Sequence, residues 1–209
     1  MEPPHPQAAA GGPTRRRVIG TITPALGLSL VLSGCGAPDS LARQANAGDN
    51  KNYIAGDGSV TEYALANRGE RVQLSGRLFD GTVVESTAWT QRVVVLNFWY
   101  AACPPCRLEA PRLEALYKEY KSQGVLFYGV NLRDEEPEAA AFERTYGVTY
   151  PSMPDKNGGI LLAMTQYVPP QSVPTTLVID KSGKVASRIL GLADQATLKS
   201  LIADALAGK

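Results

Sequence analysis

The pattern of hydrophobic and polar positions indicates where the folded part of the chain has its centre. Residues 93–99 read VVVLNFW, a run that is apolar apart from Asn97. Alternation of polar and apolar residues is typical of a strand with one face in water, whereas a continuous apolar run is typical of a strand buried on both faces. We therefore predict a central strand here, in a sheet that helices cover.

On both sides of this run the pattern alternates between strand and helix periodicities. The first predicted elements are a hairpin over 72–84 with an Asp80–Gly81 turn, the central strand, and a helix after residue 103 that contains Pro111 and ends at Gly124. A strand over 125–131, a helix over 137–146, a short strand over 148–153 and a short helix over 160–167 follow. The last predicted elements are paired strands over 177–179 and 185–190 and a helix from Asp194. Asp-Gly suits a hairpin turn and Asp194 suits a helix N-cap. This order predicts an α/β fold that begins with a hairpin.

The first 34 residues have the features of a targeting segment. Three arginines at 15–17 precede fifteen mostly apolar residues, 18–32. A membrane-spanning helix needs about 20 apolar residues, so this shorter run predicts a signal peptide over 1–34. The run ends in LSGC at 32–35, which resembles the lipobox of bacterial lipoproteins and implies that Cys35 is lipidated. An ordinary cleavable signal is the alternative, and the export route, general or twin-arginine, stays open.

Residues 35–62 are predicted to be a flexible tether that joins the lipid anchor to a folded domain over 63–209. The segment is rich in Gly, Ala, Asn and Asp and has few large apolar residues. It can therefore bury too little surface to offset the entropy cost of ordering. About 25 flexible residues have a root-mean-square reach of roughly 25–30 Å. The expected location is the extracytoplasmic side of the cell membrane.

Composition and charge exclude several functional classes. The 21 basic and 20 acidic residues give a net charge of +1, which is not the basic excess of a nucleic-acid-binding protein. Three cysteines are too few for a disulfide-dense scaffold or a four-cysteine zinc site. The single histidine, His5, lies in the predicted leader. We therefore expect no histidine-dependent catalysis and no histidine-ligated metal in the mature chain.

The candidate chemistry lies at Cys103-Pro104-Pro105-Cys106, directly after the predicted central strand and at the start of a helix. A helix N-terminus carries partial positive charge and unpaired N–H groups, which lower the pKa of a cysteine placed there. We expect Cys103 to be the exposed, attacking sulfur and Cys106 to be shielded and to resolve the mixed disulfide. Prolines are tolerated in the first helical turn and hold the two sulfurs close.

Three other interpretations of this cysteine pair are open. A structural disulfide that closes a four-residue loop would stabilise the fold weakly, by about 2 kcal/mol in the chain-entropy model. A metal site would need carboxylates or a partner chain, because the mature chain offers no histidine and no further free cysteine. Two inert buried cysteines would leave their position at a helix start unexplained. Redox exchange accounts for all of these features.

Residues 97–111, NFWYAACPPCRLEAP, resemble the active-site stretch of the TlpA/ResA-like branch of the thioredoxin superfamily. The resemblance covers most of the mature chain and implies a membrane-anchored, extracytoplasmic thiol–disulfide oxidoreductase. The implied fold is a thioredoxin-like three-layer α/β/α sandwich with an N-terminal β-hairpin and a central αβ insertion. Residues 137–153 match the insertion, and Pro111 matches the family's helix kink.

The same resemblance implies roles within the site, with Cys103 as the nucleophile and Cys106 as the resolving thiol. This branch commonly carries asparagine at the position of Asn97, where thioredoxin has a buried aspartate, and a glutamate at the position of Glu109. Residues three apart on a helix face the same way, so Glu109 can lie over Cys106 and accept its proton. The alternative for Glu109 is a solvated carboxylate that complements the helix dipole. Ala102 replaces a tryptophan that often precedes the first cysteine.

Candidate substrate-binding residues flank the cysteine pair. Pro174 matches the cis-proline loop that lies beside the disulfide in this family. A cis bond there would present the Val173 backbone to an extended substrate, and an ordinary trans loop proline is the alternative. Pro104 and Pro105 are further candidates. Trp99 is a candidate contact as well, although its place in the apolar run favours the core.

These observations predict an oxidoreductase that needs no cofactor beyond the redox-active disulfide Cys103–Cys106. No histidine or charged residue separates the cysteines, so we favour a reductant, for example of cytochrome c apoprotein thiols as the resemblance suggests. An oxidant in disulfide formation is the second hypothesis. A thiol peroxidase and a copper- or haem-binding lipoprotein are further alternatives. The expected partners are protein thiol and disulfide substrates and a membrane electron-donor thiol transporter, with no nucleic acid.

Overall fold

Eight β-strands and four α-helices form within residues 56–209, the part of the chain that the computed structural model describes. The strands are β1 Asp57–Glu62, β2 Ser75–Arg77, β3 Val83–Glu85, β4 Val94–Trp99, β5 Leu126–Asn131, β6 Ser152–Pro154, β7 Thr175–Ile179 and β8 Val185–Gly191. The helices are α1 Pro104–Tyr120, α2 Glu136–Tyr146, α3 Gly159–Ala163 and α4 Gln195–Ala207. The predicted signal peptide, the predicted lipidation site Cys35 and the predicted tether as far as residue 55 lie outside the described residues.

Six of the strands form one mixed sheet in the order β1-β8-β7-β4-β5-β6. The β4–β5 and β5–β6 pairs are parallel, and the β4–β7, β7–β8 and β1–β8 pairs are antiparallel. All six residues of β4 are buried, which confirms the predicted central strand. Because α1 directly follows β4, the carboxyl end of this strand leads into the cysteine motif.

Side chains that alternate along β4 pack into two hydrophobic clusters, one on each face of the sheet. Val94, Leu96 and Phe98 pack on the face that the β2–β3 hairpin and α3 cover. Val95 packs on the opposite face against apolar residues of α1 and α4. The continuous apolar run of β4 is thus explained by cover on both faces, and the predicted α/β class is confirmed.

The predicted hairpin forms a separate two-stranded sheet whose strands are shorter than expected. Pairing is limited to Ser75–Arg77 with Val83–Glu85, and Val72 and Leu74 are buried without belonging to a strand. Gly81 has a φ of +89°, a conformation that glycine adopts without the steric cost of a side chain. The turn therefore forms where the sequence predicts it.

The prediction that the flexible tether extends to residue 62 is wrong. Residues 57–62 form β1, which pairs antiparallel with β8 from Asp57 opposite Gly191 to Glu62 opposite Ser187. Most side chains of β1 are exposed, so composition gives no sign of order. Backbone hydrogen bonds to the edge of β8 hold this segment in place. The hydropathy pattern of a sequence does not reveal bonds of this kind.

The other elements agree with the prediction except at some of their ends. α2 begins beside Pro137 and Asp194 is the N-cap of α4, as predicted. β6 is limited to Ser152–Pro154 and α3 to Gly159–Ala163, and both are shorter than predicted. Within residues 56–209, none of the helices combines the length and hydropathy that crossing a membrane requires.

Candidate active site

The cysteine pair lies at the junction of β4 and α1. Residues 100–102 lead from the end of β4 to Cys103, which is the N-cap of α1. Cys103 and Cys106 form a disulfide with their Cα atoms 5.3 Å apart. The Cys103 Sγ accepts a hydrogen bond from the Cys106 backbone N–H at 3.3 Å. A sulfur that accepts a hydrogen bond from the first turn of a helix is in an environment that favours a thiolate.

Pro104 and Pro105 are the first two residues of α1. Their missing N–H groups remove no helical hydrogen bond, because the first N–H groups of a helix have no carbonyl partner. Pro104 is exposed and Pro105 is half-buried, while both cysteines are buried. Pro104 therefore presents the most accessible surface of the motif, as a candidate substrate contact requires.

The prediction that Cys103 is exposed while Cys106 is shielded is wrong for the oxidised protein. The exposed fraction is 0% for Cys103 and 1% for Cys106. Both cysteines pack in a cluster with Trp99 and Val173, and Phe79 from the loop between β2 and β3 packs against the same cluster. Side chains from distant parts of the chain thus cover the disulfide, and a substrate must displace part of this cover to react.

The loop that precedes β7 lies beside the disulfide. The peptide bond between Val173 and Pro174 is cis, as predicted, and both residues are buried. The Pro174 C=O accepts a hydrogen bond from the Gly191 N–H at 2.8 Å, which ties this loop to the end of β8. Val173 shares a hydrophobic cluster with the two cysteines. The structure therefore brings the predicted cis-proline loop and the disulfide together.

Trp99 is a core residue, which corrects its assignment as a candidate substrate contact. It is 3% exposed, and its indole ring packs against the Phe142 ring with the ring centroids 4.4 Å apart. Phe142 belongs to α2, the helix of the predicted insertion. The contact therefore attaches the insertion to the strand that carries the motif.

Glu109 lies one turn after Cys106 on α1 and is fully buried. Its Oε1 accepts a hydrogen bond from the Asn97 Nδ2 at 2.6 Å, and its Oε2 accepts one from the Ala193 N–H at 2.9 Å. Burial raises the pKa of this carboxyl from 4.5 to about 8, although both hydrogen bonds and the charge of Arg112 oppose the shift. The alternative of a solvated carboxylate is thereby excluded.

Asn97 connects this carboxyl to the neighbouring strand. Its Nδ2 also donates to the Thr176 Oγ1 of β7 at 3.1 Å, so the amide group bridges Glu109 and the sheet. From the sequence, Asn97 was identified only as the residue that stands where thioredoxin has a buried aspartate. In the structure it is a hydrogen-bond donor that orients the Glu109 carboxyl.

The residues that fix the turn before the cysteines were not predicted from the sequence. The Asp134 Oδ2 accepts the Ala101 N–H at 2.6 Å and the Asn131 Nδ2 at 2.8 Å, and the Arg107 Nε donates to the Ala101 C=O at 2.9 Å. The sequence did contain a signal for Asn131 and Asp134. Asn131 ends β5, and the carboxyl ends of the parallel strands β4 and β5 meet at one sheet edge, beside the cysteine motif. For Ala193 no such signal exists, because its contact with Glu109 is made by the backbone.

The arrangement suits thiol–disulfide exchange. It combines a cysteine at a helix N-terminus, a second cysteine three residues later, a buried loop beside them and a carboxyl whose pKa lies near neutrality. Among residues 56–209, no group of three or more His, Cys, Asp or Glu side chains is placed to hold a metal ion. The cysteine pair, the helix N-terminus and the buried carboxyl together support chemistry at the two sulfurs.

Comparison with known proteins agrees with this chemistry. The model of the AhpC/TSA family matches residues 71–188. The chain is 35% identical over 123 residues to the thiol-disulfide oxidoreductase ResA of Halalkalibacterium halodurans. The aligned residues make up 58% of this chain and 68% of that relative. It is 32% identical over 143 residues to the thiol-disulfide oxidoreductase ResA of Oceanobacillus iheyensis. The aligned residues make up 68% of this chain and 68% of that relative.

The fold is also similar to that of solved structures. The crystal structure of a DsbF homologue from Corynebacterium diphtheriae matches with a TM-score of 0.61 at 29% identity, over 71% of this chain and 94% of that one. This similarity confirms the thioredoxin-like fold that the sequence predicts. Given a family model that spans more than half of the chain and ResA relatives above 30% identity, the chain belongs to the AhpC/TSA family and is a ResA-like thiol-disulfide oxidoreductase.

Proposed function

We propose that the protein is a lipid-anchored, extracytoplasmic reductant of protein disulfides. The observation that carries the proposed direction is that only Pro104 and Pro105 separate the two cysteines. The helix N-terminus can stabilise a Cys103 thiolate, but no histidine or charged side chain between the cysteines adds to that effect. A strongly stabilised reduced form makes an oxidant, so a moderately stabilised one favours the donation of electrons.

The proposed exchange has two steps that together move two electrons. The Cys103 thiolate attacks one sulfur of a substrate disulfide, a mixed disulfide forms, and the other substrate sulfur leaves as a thiolate. The Cys106 thiol then loses its proton and attacks the Cys103 sulfur, which releases the second substrate thiolate. The substrate is reduced to a dithiol, and the protein is oxidised to the Cys103–Cys106 disulfide.

Glu109 is proposed to take up the proton of Cys106 in the second step. Residues three apart on a helix lie on the same face, and the pKa of the buried carboxyl, about 8, is close to the pKa of a free thiol, about 8.5. Proton transfer between groups of similar acidity is nearly balanced in free energy. A general base acts in its deprotonated form, so this contribution should be largest at and above about pH 8 and smaller at neutral pH.

The proposed substrates are disulfides of extracytoplasmic proteins, with cytochrome c apoproteins as the example that the family resemblance suggests. A membrane electron-donor thiol transporter would return the disulfide to the dithiol, and lipidated Cys35 would hold the protein at the membrane. Metabolic labelling with an alkyne fatty acid tests the anchor. We expect the wild-type protein to carry the label and Cys35→Ala to lose it, and an unlabelled wild-type protein would contradict the anchor.

The redox potential decides between a reductant and an oxidant. Equilibration with glutathione buffers, followed by quantification of the dithiol, gives this value. We expect a potential closer to the value of thioredoxin, about −270 mV, than to that of DsbA, about −120 mV. A value near the latter would contradict the proposed direction and support a role in disulfide formation.

Trapping in cells tests the two cysteine roles and identifies the substrates. Cys106→Ser should accumulate stable mixed disulfides with its substrates, because the resolving thiol is absent. Cys103→Ser is the matched control and should accumulate none. Fast consumption of peroxide that needs Cys103 alone would instead support the thiol peroxidase alternative.

A further inference from the structure

Residues 191–193, which are the last residue of β8 and the start of the connection to α4, contact two parts of the site at once and are called the 191–193 loop. The Gly191 N–H donates to the Pro174 C=O at 2.8 Å, which fixes the cis-proline loop. Two residues later, the Ala193 N–H donates to the Glu109 Oε2 at 2.9 Å. Both contacts come from the backbone, so they depend on where the 191–193 loop lies and not on the identity of its side chains.

The N-terminal end of β1 packs directly against this loop. Asp57 pairs with Gly191, and the preceding Gly56 approaches the β8 backbone closely. A Cβ atom on Gly56 would lie 2.3 Å from the Leu190 carbonyl carbon and 2.4 Å from the Gly191 nitrogen, and one on Gly191 would lie 2.4 Å from the Gly56 oxygen. Two glycines are therefore required where these backbones cross.

Few groups compete with the 191–193 loop for the carboxyl of Glu109. Asn97 of β4 holds Oε1, and Ala193 holds Oε2. Arg112 on the same helix acts on Glu109 through its charge. Tyr150, from the segment between α2 and β6, is close enough to interact electrostatically with Glu109, and burial raises the pKa of this phenol, so it stays neutral. Ala193 is thus the donor that holds Oε2.

We propose that the 191–193 loop is a positioning element of the redox site, which β1 holds in place through the Gly56–Gly191 contact. Through Gly191 it fixes the cis-proline loop, and through Ala193 it fixes the carboxyl of Glu109. Loss of the Ala193 N–H removes one of two hydrogen bonds to the charged form of the carboxylate. Displacement of the loop by a side chain at residue 56 weakens the same bond, so both changes should raise the pKa of Glu109.

The experiment is a pH titration of the Glu109 side-chain carboxyl carbon by ¹³C NMR in the oxidised full-length protein, with Glu109→Gln used to assign the signal. We expect Ala193→Pro, which lacks the N–H, to raise the midpoint by about one pH unit. Gly56→Ala should shift the midpoint in the same direction by about half a unit. Ser59→Ala is the matched control in β1, because Ser59 is exposed and the change adds no atom between β1 and β8, and its midpoint should stay at the wild-type value.

An unchanged midpoint in both Ala193→Pro and Gly56→Ala, in protein with native circular dichroism, would overturn the proposal. An equal shift in Ser59→Ala would also overturn it, because the effect would then reflect a weaker β1 and not the position of the loop. If Ala193→Pro does not fold, Gly56→Ala decides. The proposal rests on the proposed role of Glu109, but the titration reads the carboxyl directly and is independent of the direction of electron flow.

Discussion

At the scale of single residues, the two cysteines differ in what surrounds them. The Cys103 sulfur accepts a hydrogen bond at the start of α1, so the helix N-terminus favours its ionised form. Cys106 lies one turn further along the helix, on the face that also carries the buried Glu109. We therefore expect the position of Cys103 to favour a thiolate in the reduced protein, and we expect Cys106 to require a group that takes its proton.

Replacement of Glu109 by glutamine should slow the release of mixed disulfides. The glutamine cannot accept the Cys106 proton, and we expect the release step to slow by about 10²-fold at pH 8, the usual contribution of a general base. The first attack by Cys103 should keep its rate. The substrate is a disulfide of a chromophoric thiol, and each step releases one molecule of that thiol. Stopped-flow absorbance therefore follows the attack by Cys103 and the release from Cys103 separately.

Glu119→Gln is the matched control on the same helix, because Glu119 is exposed and pairs with Lys199. It should release the chromophoric thiol at the wild-type rate. A Glu109→Gln variant that releases it as fast as the wild-type protein would show that another group takes the proton.

Residue types and spacing predicted the chemical groups of the site but not their exposure. The cysteine pair, Glu109 and the cis bond before Pro174 lie where the motif and the family resemblance place them. The burial of Cys103 was not predictable, because its cover includes Phe79 from a distant hairpin loop. A local motif specifies its own helix turn, whereas exposure depends on every segment that packs above it.

At the scale of elements, one side chain connects three segments at the end of the sheet remote from the cysteines. Arg68, in the segment after β1, donates to the Asp180 Oδ2 at 2.6 Å and to the Tyr63 C=O at 3.0 Å. It also donates to the C=O of Lys209 at the end of the chain. The side chains of Arg68 and Asp180 are only 5% and 6% exposed, so water cannot replace either partner.

Arg68→Ala should lower the free energy of unfolding by about 3 kcal/mol, because it leaves a buried carboxylate without its partner. Urea denaturation followed by circular dichroism measures this value. Arg77→Ala is the control, because the Arg77 guanidinium bonds the Gly81 C=O on an exposed hairpin, and its effect should stay within about 0.5 kcal/mol. A loss below about 1 kcal/mol for Arg68→Ala would contradict a buried, structural ion pair.

The strands and helices with strong periodicity were predictable, and the edge strand was not. β4 and α4 follow from an apolar run and from a capped amphipathic pattern. β1 has mostly exposed side chains and depends on the open edge of β8. An edge strand of this kind requires knowledge of the sheet that receives it.

At the scale of the whole molecule, ionisation of the active site is linked to folding. Glu109 is enclosed by β4, α1 and the 191–193 loop, and an unfolded chain would expose it to water. The pKa of Glu109 is about 8 in the folded state and 4.5 without burial. Between these values the folded protein holds a proton that the unfolded chain releases, so stability must fall as the pH rises.

The oxidised protein should therefore lose roughly 3–5 kcal/mol of unfolding free energy between about pH 4.5 and pH 8, and the loss should level off above that range. Burial also raises the pKa of Glu143, which adds a smaller effect of the same sign. Glu109→Gln should remove most of the slope, and Glu119→Gln should retain it. Urea denaturation at a series of pH values measures these slopes, and equal slopes in wild-type protein and Glu109→Gln would contradict the burial of a titrating carboxyl.

The pH dependence of thiol alkylation tests the central claim most directly. The reduced protein is treated with iodoacetamide at a series of pH values, and mass spectrometry of peptides gives a rate for each cysteine. We predict that Cys103 reacts faster than Cys106 and titrates with a pKa below the value of a free thiol, about 8.5. Two thiols that react equally slowly, with no titration shifted toward acid pH, would contradict redox exchange at this site.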